Sequence, residues 1–205
     1  MNMKKMKKWI IPLLMVLLIP LTLAGCGTKP TVSSSKDRVW YLFDDQMSTS
    51  TPQDILIINE NKIIDYGNGS NLSYKDLKGK DAKEVEKAVN NYNKKQGKND
   101  PTITKKEYDV SYNIYTDDNN KTIIEGLKTK DDEPYVALKG TKNVTVDGTK
   151  LYGFNSIKDG DGDTTLLNNG YLVTDNKNVS LDTKGKNINQ YKVSDFSNFI
   201  AENDN

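Results

Sequence analysis

The sequence predicts an α+β chain that is mostly β, with an antiparallel hairpin and one amphipathic helix followed by a β-meander or a small barrel. Short runs of apolar and β-branched residues recur along most of the chain, separated by Gly, Asn and Asp, which is the pattern of antiparallel strands and turns. Residues 82–92 instead repeat apolar side chains every three or four positions, as an amphipathic helix does. One helix among many short strands therefore defines the expected class.

The first predicted unit, residues 38–97, combines strands with this helix. Residues 39–43 are rich in strand-formers. Two apolar runs at 54–59 and 63–66 are separated by a polar turn. Apolar runs joined in this way predict a β-hairpin.

The helix of this unit has a recognisable start. Asp81 is a predicted N-cap, and Glu84 lies three residues later, which is the spacing of a capping box. Gly97 is the predicted stop. The apolar face consists of Ala82, Val85, Ala88, Val89 and Tyr92. That face could dock a partner, but we favour the interpretation that it covers the protein's own sheet.

The second predicted unit, residues 98–205, consists mainly of strands. Apolar and polar side chains alternate over 108–115, a turn follows at 117–120, and a returning strand begins at 122–124. Further strands are expected over 135–138, 144–146, 151–154, 170–174, 179–181 and 191–193, and a short helix after Ser194. Their even spacing favours an antiparallel meander or small barrel over a parallel sheet.

The N-terminus reads as an export signal that ends at a lipidated cysteine. Four lysines in residues 1–8 precede an uncharged apolar run over 9–23. Leu23-Ala24-Gly25-Cys26 then matches the lipobox pattern. The alternatives are a retained membrane helix and an ordinary signal cut elsewhere. The run is shorter than the ~20 residues that cross a bilayer, which disfavours the helix. We therefore expect residues 1–25 to be a signal peptide and 26–37 a lipidated, flexible tether.

This reading places the chain on the extracytoplasmic face of the cell membrane, with the membrane as its partner through the lipid on Cys26. Loss of residues 1–25 removes four of the 29 basic residues and none of the 28 acidic ones, which leaves a net charge of −3. Nucleic acid is not an expected partner, because there is no excess of basic residues to neutralise phosphates.

The composition also excludes the commonest catalytic chemistry. The chain has no histidine, so a Ser-His-Asp triad, a Cys-His dyad and histidine-containing zinc sites cannot form. Lipid occupies the only cysteine, Cys26, so a disulfide within the mature chain is excluded as well. Carboxylate-pair catalysis and a Ser/Lys arrangement remain possible in principle. We expect neither catalysis nor a cofactor.

Two local patterns are candidate ligand sites. Asp159, Asp161 and Asp163 alternate with glycine and could converge on calcium, but an EF-hand loop would need Gly at Thr164 and Glu at Gly170. A solvated acidic turn is therefore favoured over a metal site. A second set of side chains could form a platform for sugar or peptide, although ordinary core packing is the favoured reading. This set is Trp40, Tyr41, Tyr108, Tyr112, Tyr115, Tyr135, Tyr152 and Tyr171.

The lipobox, the Val39-Trp40-Tyr41 opening, the Asn61-Lys62-Ile63-Ile64 hairpin segment and residues 72–79 together resemble uncharacterised small lipoproteins of lactic-acid-type Gram-positive bacteria. The resemblance implies a lipid on Cys26. It implies no catalytic residue.

The expected function is therefore binding or a structural role in the cell envelope, with an envelope protein, a peptide or a glycan as ligand. Three alternatives stay open at this point: an immunity or inhibitor lipoprotein that intercepts a peptide or enzyme, a solute receptor of a transporter, and a carboxylate-dependent glycosidase. The receptor is disfavoured by length, because two α/β lobes around a cleft usually need a longer chain.

Overall fold

A computed structural model describes residues 32, 34–47, 49–67, 72–97, 102–129, 134–157, 170–177, 179–181 and 188–195. These residues form nine strands and two α-helices. The strands are β1 (Arg38–Asp44), β2 (Asp54–Ile58), β3 (Lys62–Gly67), β4 (Thr104–Thr116), β5 (Thr122–Thr129), β6 (Pro134–Val146), β7 (Thr149–Ile157), β8 (Gly170–Thr174) and β9 (Ile188–Lys192). The helices between β3 and β4 are α1 (Tyr74–Leu77) and α2 (Ala82–Lys95).

The first eight strands close into an antiparallel barrel. Each strand pairs with the next along the chain, and β8 returns to pair with β1. The ninth strand, β9, lies outside this circuit and pairs in parallel with the second half of β4. The prediction of a mostly β, antiparallel fold is confirmed in outline.

Strand β4 bridges the two predicted sequence units. Residues 104–109 pair with β3, and residues 110–116 pair with β5. This change of partner part-way along one strand is the stagger that lets tilted strands close a barrel. Strands on both sides of residue 97 therefore belong to one closed sheet.

A tight turn joins β6 to β7. Asp147 and Gly148 have φ angles of 46° and 71°, as both central residues of a type I′ hairpin turn require. The hairpin that this turn makes is long, with pairs from Ala137↔Ile157 to Val146↔Thr149.

Side chains from all eight barrel strands meet in one inner cluster, which identifies the barrel lumen. The largest are Trp40 of β1 and Phe154 of β7, whose ring centroids lie 5.9 Å apart. The other strand residues of this cluster are Leu42, Leu56, Ile58, Ile63, Val110, Tyr112, Leu127, Val136, Leu138 and Leu172. Val32 and Val179, from the segments flanking the barrel strands, also belong to it. An eight-stranded barrel is just wide enough for side chains to fill its lumen, as they do here.

An outer cluster explains why residues 39–43 are apolar without alternation. Val39, Tyr41 and Phe43 point away from the lumen, and the helices cover them. Val85 and Val89 of α2 and Leu77 of α1 complete this cover. The predicted amphipathic helix thus packs on the protein's own sheet, and β1 is buried on both faces.

The N-terminus of α2 has the predicted capping box. Asp81 Oδ1 accepts a hydrogen bond from the Glu84 amide at 2.9 Å, and Glu84 Oε2 accepts one from the Asp81 amide at 3.0 Å. The helix ends at Lys95 with Gln96 as C-cap, rather than at the predicted Gly97.

Three secondary-structure expectations need correction. The predicted strands at 135–138 and 144–146 are one strand, β6, because Gly140 (φ 59°) sits in a bulge that lets the ladder continue. Residues 179–181 are not a strand: no described strand pairs with them, and Val179 packs into the inner cluster from a connecting segment. Val193–Asp195 form a 3₁₀ turn, and the remainder of the predicted final helix lies outside the described residues.

Candidate functional site

The predicted lipidation site and the candidate calcium ligands lie outside the described part of the chain. This applies to Cys26 and to Asp159, Asp161 and Asp163. Within the described ranges, no group of three or more Cys, Asp and Glu side chains could hold a metal ion.

The structure does not assemble the aromatic side chains into a platform. Trp40 and Tyr112 are buried in the lumen, and Tyr41 is buried under the helices. Tyr115 stacks on Tyr191 of β9 at 5.4 Å, apart from the others. The rest of the described set, Tyr108, Tyr152 and Tyr171, packs against one or the other cluster. The side chain of Tyr135 lies outside the described part of the chain.

The barrel wall opens where β1 and β8 separate. Their ladder runs from Asp44↔Gly170 to Tyr41↔Val173, whereas β1 remains paired with β2 as far as Arg38. The first three residues of β1 therefore have a neighbouring strand on only one side.

A groove of about 390 Å³ occupies this opening, and we call it the β1–β8 groove. One wall is the start of β1, the second is the end of β8, and the third is the connection from α1 into α2. The lining residues are Lys36, Asp37, Arg38, Val39, Tyr41, Gly79, Lys80, Asp81, Ala82, Thr174, Asp175 and Asn176.

The acidic groups of the groove already accept internal hydrogen bonds. Asp175 accepts one from the Tyr74 hydroxyl at 2.5 Å and one from the Gly79 amide at 2.9 Å. Asp37 accepts one from the Asn59 side-chain amide at 2.7 Å. The third acid, Asp81, caps α2. These carboxylates hold the walls of the groove together.

The basic groups of the groove are differently placed. Lys36 is exposed, while Lys80 and Arg38 are half-buried. Among the described residues, Lys62 forms an ion pair with Glu107, and Lys105 forms ion pairs with Glu86 and Glu107. None of these pairs involves a groove lysine or Arg38. Within the described residues, the groove carboxylates thus accept hydrogen bonds, whereas its basic side chains form no ion pair.

Arg38 has a further property that sets it apart. Its Nε atom is buried and has no hydrogen-bond partner within the described part of the chain. Burial also lowers the pKa of the guanidinium below its ordinary value, although the group remains charged. A desolvated donor without an acceptor is costly, so this atom would gain from a ligand that accepts a hydrogen bond.

The two tyrosines beside the groove are held as neutral hydroxyls. Burial raises the pKa of Tyr41, and the Asp175 charge raises it further. Burial and the hydrogen bond to Asp175 raise the pKa of Tyr74. Tyr41 donates to the Leu77 carbonyl at 3.3 Å, so its oxygen has a structural contact and no tendency to ionise. Neither tyrosine is suited to act as a nucleophile.

A second polar group faces the lumen at the end of the barrel where β2 begins. Asp54 pairs with Gly67, Asp65 pairs with Lys106, and both aspartates share a face with the lumen residue Leu56. A Cβ atom at Gly67 would lie 3.5 Å from Asp54 Oδ1, 3.7 Å from Asp65 Oδ1 and 3.7 Å from the Thr104 hydroxyl. The absent side chain therefore leaves a small gap bordered by two carboxylates.

The environment of this gap favours a proton on Asp54. Burial raises the pKa of Asp54 to about 7, the negative charge of Asp65 raises it as well, and Lys106 opposes both effects. Two adjacent carboxylates disfavour double ionisation. The glycosidase alternative needs two carboxylates that flank an open cleft. This pair borders the packed inner cluster instead, and the β1–β8 groove opens elsewhere.

Sequence reasoning missed both arrangements. Residues 36–41, 79–82 and 174–176 are far apart in the chain, and only closure of the barrel brings them together. One signal was available, because Arg38 is the only arginine in a chain with 29 basic residues.

Comparisons with known proteins add no assignment. No protein family, curated protein or solved structure matches this chain. Among the helices that the structure describes, none has the length and apolar character needed to cross a membrane.

Proposed function

We propose that this chain is a lipid-anchored extracytoplasmic binding protein that holds its ligand in the β1–β8 groove. The single observation that carries the proposal is the groove itself, a concave opening in the wall of a barrel whose lumen is filled by side chains. Because side chains fill the lumen, the barrel wall is the place where a ligand can bind.

The position of the groove fits an anchored protein. Lys36 lies ten residues after Cys26, so an extended connection between them spans at most about 35 Å. The groove is thus tethered near the membrane surface when lipid occupies Cys26. Membrane components and envelope polymers are the ligands within its reach.

Binding is favoured over catalysis by the groove's chemistry. Its hydroxyl groups belong to Tyr41 and Thr174, and the chain has no histidine to act as a base beside them. The pKa of Tyr41 is raised rather than lowered, which opposes use of its oxygen as a nucleophile. A binding role needs only the shape and charge that the groove presents.

The anchor is tested by fractionating cells that express the wild type, Cys26→Ala or the matched tether variant Thr28→Ala. We expect palmitate labelling and membrane association for the wild type and Thr28→Ala. Cys26→Ala should be unlabelled and either shed or retained at its unprocessed mass. A Cys26→Ala protein of mature mass in the membrane fraction would refute the anchor.

The groove is tested by nuclear magnetic resonance on residues 26–205 with Cys26→Ser, a lipid-free chain that retains every described element. Soluble wall-glycan fragments, a tryptic peptide mixture and phospholipid vesicles serve as probes. At least one should shift or broaden amides of the groove, and Asn176→Trp, which fills the groove, should remove that effect. The matched variant Asn119→Trp, in the β4–β5 turn, should leave it intact. Perturbations absent from the groove, or unchanged by Asn176→Trp, would contradict the proposal.

A further inference from the structure

We propose that the β1–β8 groove recognises an anionic phosphate group, with Arg38 as the principal contact and Lys36 and Lys80 as supporting charges. This inference rests on the proposed binding function and names the chemical class of the ligand. It requires no residue outside the described part of the chain.

The charged residues of the groove differ in whether they already have hydrogen-bond or ion-pair partners. Asp37, Asp81 and Asp175 accept hydrogen bonds that build the walls of the groove. Lys36 and Lys80 have no ion-pair partner among the described residues. An incoming anion would therefore meet donors that are available and carboxylates that already have donors.

Arg38 lies where the barrel wall opens. It begins β1, where the pairing with β2 holds its backbone and the β8 side is open. Its Nε is buried, and no described residue accepts a hydrogen bond from it. Buried donors are usually satisfied, and Arg38 is the one residue with such a buried, unsatisfied side-chain atom in the described chain that also lines the groove, so we assign its acceptor to a groove ligand.

Arginine binds phosphate differently from lysine. The guanidinium presents its donors as a planar fork, which matches two oxygens of a phosphate at once. Lysine supplies every other basic group of this chain, and the only arginine lines the groove. The first turn of α2 adds the positive end of a helix dipole at the opposite wall, although Asp81 and Glu84 partly offset it.

Two sources could supply the phosphate. One is the headgroup of a membrane phospholipid, which the tether would bring close. The other is a soluble phosphate or phosphate-bearing polymer of the envelope. Both present the same chemistry to Arg38, so separate arms of one experiment distinguish them.

The experiment uses residues 26–205 with Cys26→Ser at constant ionic strength. Inorganic phosphate is titrated while groove amides and the Arg38 Nε–H are followed by nuclear magnetic resonance, with chloride as the reference anion. We expect saturable shifts confined to the groove. Binding should weaken at least tenfold in Arg38→Gln, less in Arg38→Lys, and under twofold in the matched control Lys121→Gln, which lies in the β4–β5 turn.

The second arm measures co-sedimentation with vesicles of phosphatidylglycerol or phosphatidylcholine, with and without competing phosphate. Arg38-dependent binding to vesicles that phosphate displaces identifies a headgroup as the source. Phosphate binding without vesicle binding identifies a soluble source. Either result supports the inference.

If Arg38→Gln loses its folded spectrum, the phosphate affinity of Lys80→Gln is measured instead, because this substitution alters the opposite wall and leaves Arg38 in place. Lys80→Gln should weaken phosphate binding severalfold. The inference is overturned if phosphate produces no saturable shifts of the groove amides. It is also overturned if the Arg38→Gln and Lys80→Gln variants that remain folded bind phosphate with wild-type affinity. If glycan or peptide probes still perturb the groove in that case, the binding function stands and only the phosphate assignment fails.

Discussion

The carboxyl group of Asp54 should make the stability of this protein depend on pH in a direction opposite to that of a salt-bridged aspartate. Its pKa is about 7 in the folded chain, against an ordinary value of 3.8, chiefly because it is buried and secondarily because Asp65 is near. The folded state therefore binds this proton more tightly than the unfolded state does. Stability that the proton contributes is complete below pH 3.8 and is lost as the pH rises to about 7.

The magnitude follows from the two pKa values. A tenfold difference in proton affinity corresponds to about 1.4 kcal/mol, so the change from 3.8 to about 7 corresponds to about 4 kcal/mol of unfolding free energy. Above pH 7 this contribution to the pH dependence should level off.

Asp54→Asn tests the reasoning, because the amide is neutral at every pH and resembles the protonated acid. We expect the variant to match the wild type near pH 4 and to exceed its unfolding free energy by about 3 to 4 kcal/mol at pH 8. Asp65→Asn should reduce the pH dependence of the wild type, since it removes the charge that raises the pKa of Asp54. Lys106→Met should move the transition to higher pH, since Lys106 lowers that pKa.

Urea unfolding of residues 26–205 with Cys26→Ser, measured from pH 4 to pH 8, provides the assay. Trp40 is the only tryptophan after the predicted signal peptide, and it lies in the lumen against Phe154, so its fluorescence reports on the inner cluster. The matched control is Asp118→Asn, an exposed carboxylate in the β4–β5 turn. A difference between Asp54→Asn and the wild type that is independent of pH, or that Asp118→Asn reproduces, would refute the raised pKa of Asp54.

Three further predictions concern the backbone and are checked by the same urea unfolding. Gly153→Ala should destabilise the protein by about 3 kcal/mol or more, because its Cβ would lie 1.9 Å from the Leu172 carbonyl oxygen. The control Gly126→Ala has no contact closer than 3.6 Å and should change stability by under about 1 kcal/mol. Equal effects of the two substitutions would contradict the close approach of β7 and β8 at Gly153. Asp81→Ala should cost about 1 kcal/mol through loss of the capping box, and a neutral result would show that the cap is not needed. Gly148→Ala should cost about 1 kcal/mol because φ is 71° there, and a stabilised variant would contradict the type I′ turn.

Several local elements could be predicted because neighbouring residues determine them. The spacing of Asp81 and Glu84 is enough to specify a capping box, and the structure has it. The apolar runs around residues 59–62 specify a hairpin, and β2 and β3 pair as expected. The short helix α1 was not predicted, because its four residues show no periodic pattern and depend on contacts with β1.

The candidate site could not be predicted, since its parts are distant in sequence. Arg38 and Asp175 line the same groove only because β8 returns to β1 and closes the barrel. Asp54 and Asp65 face one gap because β2 and β3 are paired in a register that puts both on the lumen side. A shift of that register by one residue would turn one of the two carboxylates outward.

The sequence by itself determined the predominance of antiparallel strands, the position and start of the main helix, the absence of histidine chemistry, and the expectation of a lipid on Cys26. These follow from composition, from short spacings and from a motif at one end of the chain. Closure of the barrel, the opening between β1 and β8, and the raised pKa of Asp54 beside Asp65 were decided only in the tertiary structure. The physical reason is that strand registers and burial bring distant residues together. They leave Arg38 Nε buried beside a groove without a hydrogen-bond partner among the described residues, and they raise the pKa of Asp54 to about 7.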